Sequence, residues 1–147
     1  MATAALLINL VLLVIVSLNY FSIRQPRNSA QSQSSIDVLI PVRNEESNIA
    51  ELVATLKSQV GIPEAKFYFL DDSSTDGTAA AIKLNTQSDS RFTLVSVPEL
   101  PKGWIGKTWA LQQGFELSNG EILVTIDADV RLEKDALIKS MNLLQES

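Results

Sequence analysis

Hydrophobic positions follow two regimes along the chain. Residues 1–23 carry no charged side chain, and 4–18 are aliphatic or Ala except for Asn9 and Ser17. At about 1.5 Å of rise per residue, roughly 20 such residues cross a hydrocarbon core of about 30 Å as a helix. From residue 36 onward, short β-branched apolar runs alternate with segments whose apolar residues recur every three or four positions. Strands are expected at 36–42, 66–70, 92–97 and 121–126, with starts 30, 26 and 29 residues apart. That spacing is the length of a βαβ unit. Between the first two strands, Ile49, Leu52, Val53 and Leu56 mark one helix face, with Asn44 as N-cap and Glu45 and Glu46 in the first turn. Further helices are expected at 77–84, 107–117 and 134–144. The pattern predicts an α/β, Rossmann-like domain with a mostly parallel sheet and flanking helices brought against it by right-handed crossovers.

Composition narrows the organisation. A chain of 147 residues with 46% hydrophobic content holds one domain with a proper core and not two. Residues 1–23 read as a membrane anchor in preference to a cleaved signal peptide. No Lys or Arg precedes the apolar stretch, and no A-x-A site follows it. Arg24 and Arg27 directly behind the span place the C-terminal domain in the cytoplasm, and the absence of cysteine accords with that compartment. Residues 24–35, rich in Pro, Asn, Ser and Gln, read as a tether, leaving 36–147 as the folded part. All 17 acids and 12 bases lie after residue 23, giving that part a net charge of −5. Such a balance argues against a nucleic-acid partner and offers no attraction to an anionic lipid surface.

The candidate chemistry gathers at strand ends. The run 122–126 stops at Asp127-Ala128-Asp129, two carboxylates one residue apart, where open α/β folds bind ligands. Either these are solvated acids of a turn, or a hard divalent cation such as Mg²⁺ or Mn²⁺ offsets their repulsion. Arg43-Asn44-Glu45 follows the first strand and Asp71-Asp72-Ser73-Ser74 the second, so a parallel sheet brings all three groups to one edge. Asp72 suits the imide N–H of a uracil, with Asp76 and Gly77 serving the turn into the next helix. The same segment also reads as a helix cap with an Asx turn. Gly106-Lys107-Thr108 lacks the first glycine of a P-loop, since Pro101 stands there. Lys107 is then either a solvated lysine or a point charge for a diphosphate at a helix N-terminus. Trp104 and Trp109 are candidates for covering a sugar face or a lipid acceptor, with core packing expected of at least one. The absence of G-x-G-x-x-G after any strand disfavours a nicotinamide dehydrogenase.

Taken together, residues 38–46 (VLIPVRNEE), 70–78 (LDDSSTDGT), 106–114 and Asp127-Ala128-Asp129 resemble, in order and spacing, the N-terminal half of a family 2 glycosyltransferase with the GT-A fold. The resemblance implies that Pro41, Val42, Arg43 and Glu45 line the nucleotide. It further implies that Asp72 contacts the uracil and that Asp127 lies near the ribose and sugar. Asp129, with Asp127 beside it, would hold Mg²⁺ or Mn²⁺ on the diphosphate, and Lys107 would meet the leaving group. The implied donor is a nucleotide sugar, expected to be a UDP-sugar, and the implied acceptor a lipid or glycan. Residues 101–111 are similar to members associated with hopanoid or carotenoid pathways. Inverting members use an Asp or Glu base well downstream of D-x-D, and only 18 residues follow Asp129 here. The expectation is therefore an incomplete domain whose general base lies elsewhere. A non-catalytic nucleotide-binding module and a truncated fragment stand as alternatives. Asp127-Ala128-Asp129-Val130 also fits the letters of a haloacid dehalogenase-type phosphatase, but three βα units precede it where that motif normally opens the domain.

Overall fold

The computed structural model describes residues 2–22 and 34–145. Helix α1, Ala2–Ser22, is followed by β1 (Ile36–Val42), α2 (Glu46–Lys57), β2 (Lys66–Asp71), α3 (Thr78–Thr86), β3 (Phe92–Ser96), α4 (Gly106–Leu117), β4 (Ile122–Thr125) and α5 (Ala136–Gln145). Every expected strand and helix is present, with ends displaced by a few residues. The window Ala5–Ser22 of α1 has a mean hydropathy of 2.2 and buries nothing against the rest of the protein, so its length and composition suit a membrane span.

The four strands form one parallel sheet in the order β3-β2-β1-β4. Alternation along β1 explains how it is covered on both faces. Ile36, Val38, Ile40 and Val42 enter the larger core, where α2, α3 and α5 contribute Ile49, Leu52, Val53, Leu56, Ile82, Leu137, Ile138 and Met141. Leu39 faces the other way, joining Tyr68, Leu70, Val97 and Ala110 of α4. Full burial of side chains such as Phe67, Phe69 and Leu52 contributes about 1.5–3 kcal/mol each. The chain moves outward from β1 to β3, then returns through α4 to place β4 on the opposite side of β1. The crevice between β1 and β4 is thus the topological switch point, where ligands of such sheets bind.

Pro41 opens that crevice. The Leu39 carbonyl accepts from Ile126 N at 3.1 Å, so the backbone groups of residues 37, 39 and 41 face β4. Proline has no N–H to offer, and the β1–β4 register ends at Leu39–Thr125. On the other side, pairing with β2 continues to Val42–Asp71. The strands therefore part on one side of Pro41 while staying zipped on the other.

At the opposite end of β1, Asp37 is buried, and its Oδ2 accepts from Asn119 N and Gly120 N at 2.8 and 2.9 Å. This acid anchors the α4–β4 turn. Ser35, assigned by composition to the tether, instead accepts from Ile122 N through its carbonyl and from Glu121 N through its hydroxyl. Ser34 Oγ accepts from Gln145 Nε2. These polar residues belong to the domain because they satisfy the edge of β4 and the end of α5; the remainder of the expected tether lies outside the described residues. Phe115, Leu117 and Leu123 stay exposed along the outer part of the α4 face.

Candidate functional site

The loops after β1 and β2 are tied together before they form a cleft. Asn44 adopts φ 56°, a left-handed conformation that Asn tolerates better than most residues. Its backbone N donates to Ser74 Oγ at 3.1 Å, and its side-chain oxygen accepts from Thr75 N at 2.8 Å. Glu45 N donates to Thr78 Oγ1, and Glu46 exchanges contacts with Asp76 and Gly77. The expectation that Asn44 caps α2 is therefore corrected. Glu45 occupies the N-cap position, and the Asn44 carboxamide is committed to the neighbouring loop.

Segment 70–78 divides its acids between structure and site. Asp71 Oδ1 accepts from Ser74 N, closing the loop after β2. Asp76 Oδ1 accepts from Thr78 N and Thr78 Oγ1, at 2.9 and 2.5 Å. The Thr78 hydroxyl above all holds the Asp76 carboxyl below its usual range. Asp72 makes neither contact and lines the cleft, with its side chain 14% exposed and Arg43 Nη1 at 3.3 Å from Oδ2. Gly106 gives this carboxylate its room: a Cβ there would lie 2.5 Å from Asp72 Oδ2.

The cleft has a volume of about 480 Å³. Pro41 and Val42 line it from β1, Arg43 and Glu45 from the loop after β1, Asp72 from the loop after β2, Gly106 and Lys107 from α4, and residues 127–129 from the loop after β4. The eight residues assigned from the sequence to the nucleotide, diphosphate or metal border this one space, whereas Trp104 and Trp109 are not among its lining residues. Lys107 Nζ lies 2.6 Å from Asp127 Oδ1, with both side chains more than half exposed. Ile105, the N-cap of α4, makes no side-chain cap bond, so the helix presents its first amides near the same cleft. Trp109 packs against the smaller core and donates from Nε1 to Pro98 O at 3.0 Å, while Trp104 rests edge-on against it and stays 40% exposed. One tryptophan is thus structural, as expected.

Three contributors were not singled out. Gly106 entered the sequence reading as part of a failed P-loop and as the start of the family-like segment 106–114, with no role of its own. Ala128 is 4% exposed and sits in the larger core, which pins the turn that carries the two exposed acids. Arg131 Nη1 donates to Ala128 O and Val130 O, while Nη2 reaches Asn48 Oδ1 at 3.2 Å. The only sequence signal for Arg131 is a lone base within the acidic stretch 127–133.

The family model for glycosyl transferase family 2 matches residues 37–147, three quarters of the chain and every residue of the cleft. The chain belongs to that family. Among curated relatives, 4,4'-diaponeurosporenoate glycosyltransferase of Staphylococcus haemolyticus is 29% identical over 115 residues, covering 78% of this chain and 29% of that protein. Beta-monoglucosyldiacylglycerol synthase of Nostoc sp. is 29% identical over 112 residues, covering 75% of this chain and 23% of its own length. The chain thus spans less than a third of these relatives. Mannosyltransferase PcManGT from Pyrobaculum calidifontis, solved with GDP-Man and Mn²⁺, superposes with a TM-score of 0.72 at 24% identity, over 90% of this chain and 39% of that one. The fold of this family 2 chain is accordingly the expected GT-A type. The family match also displaces the phosphatase reading of Asp127 to Val130.

Proposed function

We propose that this chain is the donor-binding part of a membrane-anchored glycosyltransferase that uses a nucleotide-diphosphate sugar, a UDP-sugar in the first instance. The observation that carries the proposal is the convergence of Asp72, Lys107, Asp127 and Asp129 on the crevice opened at Pro41. Asp72 accepts the imide N–H of the base through Oδ1, since Arg43 engages only Oδ2. Arg43 is largely exposed and free to swing as the base enters. Glu45, with Pro41 and Val42, lines the nucleoside, and Asp127 lies near the ribose and sugar.

Asp127 and Asp129 fit a divalent cation of the Mg²⁺ or Mn²⁺ class. Among the described residues no cluster of three or more acids or other ligating side chains forms an all-protein cage. Two carboxylates facing an open cleft suit an ion that completes its coordination with water and substrate phosphate. Such a cation supplies charge neutralisation on the departing diphosphate. In its absence Lys107 neutralises Asp127, and on donor binding Lys107 turns to the diphosphate, joined by the open amides of α4. The acceptor hydroxyl, of a lipid or glycan, then displaces the nucleoside diphosphate from the sugar and passes its proton to a base. No residue of this chain is assigned as that base. Helix α1 anchors the protein, and the basic residues 24 and 27 keep the domain on the cytoplasmic side.

Thermal melts of the detergent-solubilised chain with Mn²⁺ and different nucleoside diphosphates test this reading. UDP should raise the transition. GDP, which also presents ring N–H donors to a carboxylate, should raise it too, whereas ADP and CDP present an acceptor nitrogen there and should not. Equal shifts for all four would contradict the role of Asp72.

A further inference from the structure

We infer that Arg131 is a positioning residue for the acidic pair, holding the Asp127–Asp129 turn at a set distance from the nucleotide-lining loop without touching the donor. The inference rests on the donor-site reading above and extends it to a residue outside the cleft lining.

The Arg131 guanidinium spans two elements. On one side Nη1 donates to the carbonyls of Ala128 and Val130, at 3.2 and 3.0 Å, so it grips the backbone of the turn that displays both acids. On the other side Nη2 donates to Asn48 Oδ1 at 3.2 Å, and Nε pairs with Glu51 Oε2 at 2.8 Å, both on α2. Asn48 continues the chain: its Nδ2 donates to Glu45 Oε2 at 2.6 Å, and Glu45 lines the cleft. A continuous path of hydrogen bonds therefore joins the Asp127–Asp129 turn to the loop after β1, on the side of the crevice where Pro41 has ended strand pairing. No backbone ladder crosses that gap beyond Ile126, so its width depends on side chains. The guanidinium supplies five donors in a rigid plane, which a lysine cannot reproduce. Surrounding groups that orient ligating carboxylates commonly change metal affinity by about 10–100-fold when removed.

The test uses the full chain in detergent, with Arg131→Gln, Arg131→Lys and Asn48→Ala. Mn²⁺ binding is read by loss of the free-ion paramagnetic resonance signal, and UDP binding by calorimetry in EDTA and in Mn²⁺. Arg131→Gln should weaken Mn²⁺ binding in the presence of UDP by about tenfold or more, leaving UDP binding in EDTA within about twofold. Arg131→Lys should fail to restore the loss. Asn48→Ala should reproduce it in part and decides the matter if Arg131→Gln does not fold. Unchanged Mn²⁺ binding in the folded variants would overturn the inference, as would equal losses in EDTA and Mn²⁺, which mark a merely structural role. Absence of Mn²⁺-dependent UDP binding in the unsubstituted chain is a separate result that would remove the donor-site reading itself, and the inference with it.

Discussion

Lys107 Nζ and Asp127 Oδ1 meet at 2.6 Å across the mouth of the cleft, joining the first turn of α4 to the end of β4. Both side chains are more than half exposed, so the pair contributes little to stability, within about 1 kcal/mol. In the proposed reading, its value lies in keeping a cation beside the acids. Lys107→Met should leave the melting temperature nearly unchanged while weakening UDP binding in Mn²⁺ by about tenfold, as expected for one charge-assisted contact. Calorimetry beside a thermal melt checks both parts.

Gly106 and Asp72 form a second dependent pair. A methyl at residue 106 would meet Asp72 Oδ2 at 2.5 Å, and a carboxylate can rotate away from it. The fold should therefore tolerate Gly106→Ala, aided by the better helix propensity of alanine. The base contact should not. UDP binding is expected to fall with the melting temperature maintained, and the difference between UDP and ADP should shrink.

Asp37 predicts the reverse. It is 2% exposed and satisfies two backbone N–H groups at the end of the sheet away from the cleft. Asp37→Ala leaves both donors without that partner and should cost about 2–4 kcal/mol. Denaturant unfolding should register the loss, and UDP binding below the transition should persist.

Asp76 gives a pH signature. Its hydrogen bonds, that from the Thr78 hydroxyl foremost, depress the folded-state pKa below the unfolded value of about 4. A depressed acid contributes stability that is complete above its unfolded pKa and is lost as pH falls through its folded pKa. The melting-temperature gap between the unsubstituted chain and Asp76→Ala should therefore be constant near neutrality. It should narrow only as pH drops below about 4.

The elements were legible because a parallel sheet covered on both faces leaves continuous apolar runs, and 36–42 is the clearest of them. The grouping of the acids at strand ends was legible because a parallel sheet carries the ends of all its strands to one edge. What escaped depends on contacts remote in sequence. Asn44 looks like a helix cap until Thr75, 31 residues away, takes its side chain. Asp37 looks like an interruption in a strand until Asn119 and Gly120 arrive to satisfy it. Arg131 looks like a surface base, and its partner Asn48 is 83 residues distant. Local pattern reports burial and backbone state, whereas these roles exist only once the loops meet.

The most direct test of the account is calorimetric titration of UDP into the detergent-solubilised chain with and without Mn²⁺, beside Asp129→Asn. Binding that strengthens with Mn²⁺ and loses that gain in the folded variant is the predicted result. Binding indifferent to Mn²⁺, or a gain that survives in Asp129→Asn, would contradict the assignment of the Asp127–Asp129 pair as the metal and diphosphate site.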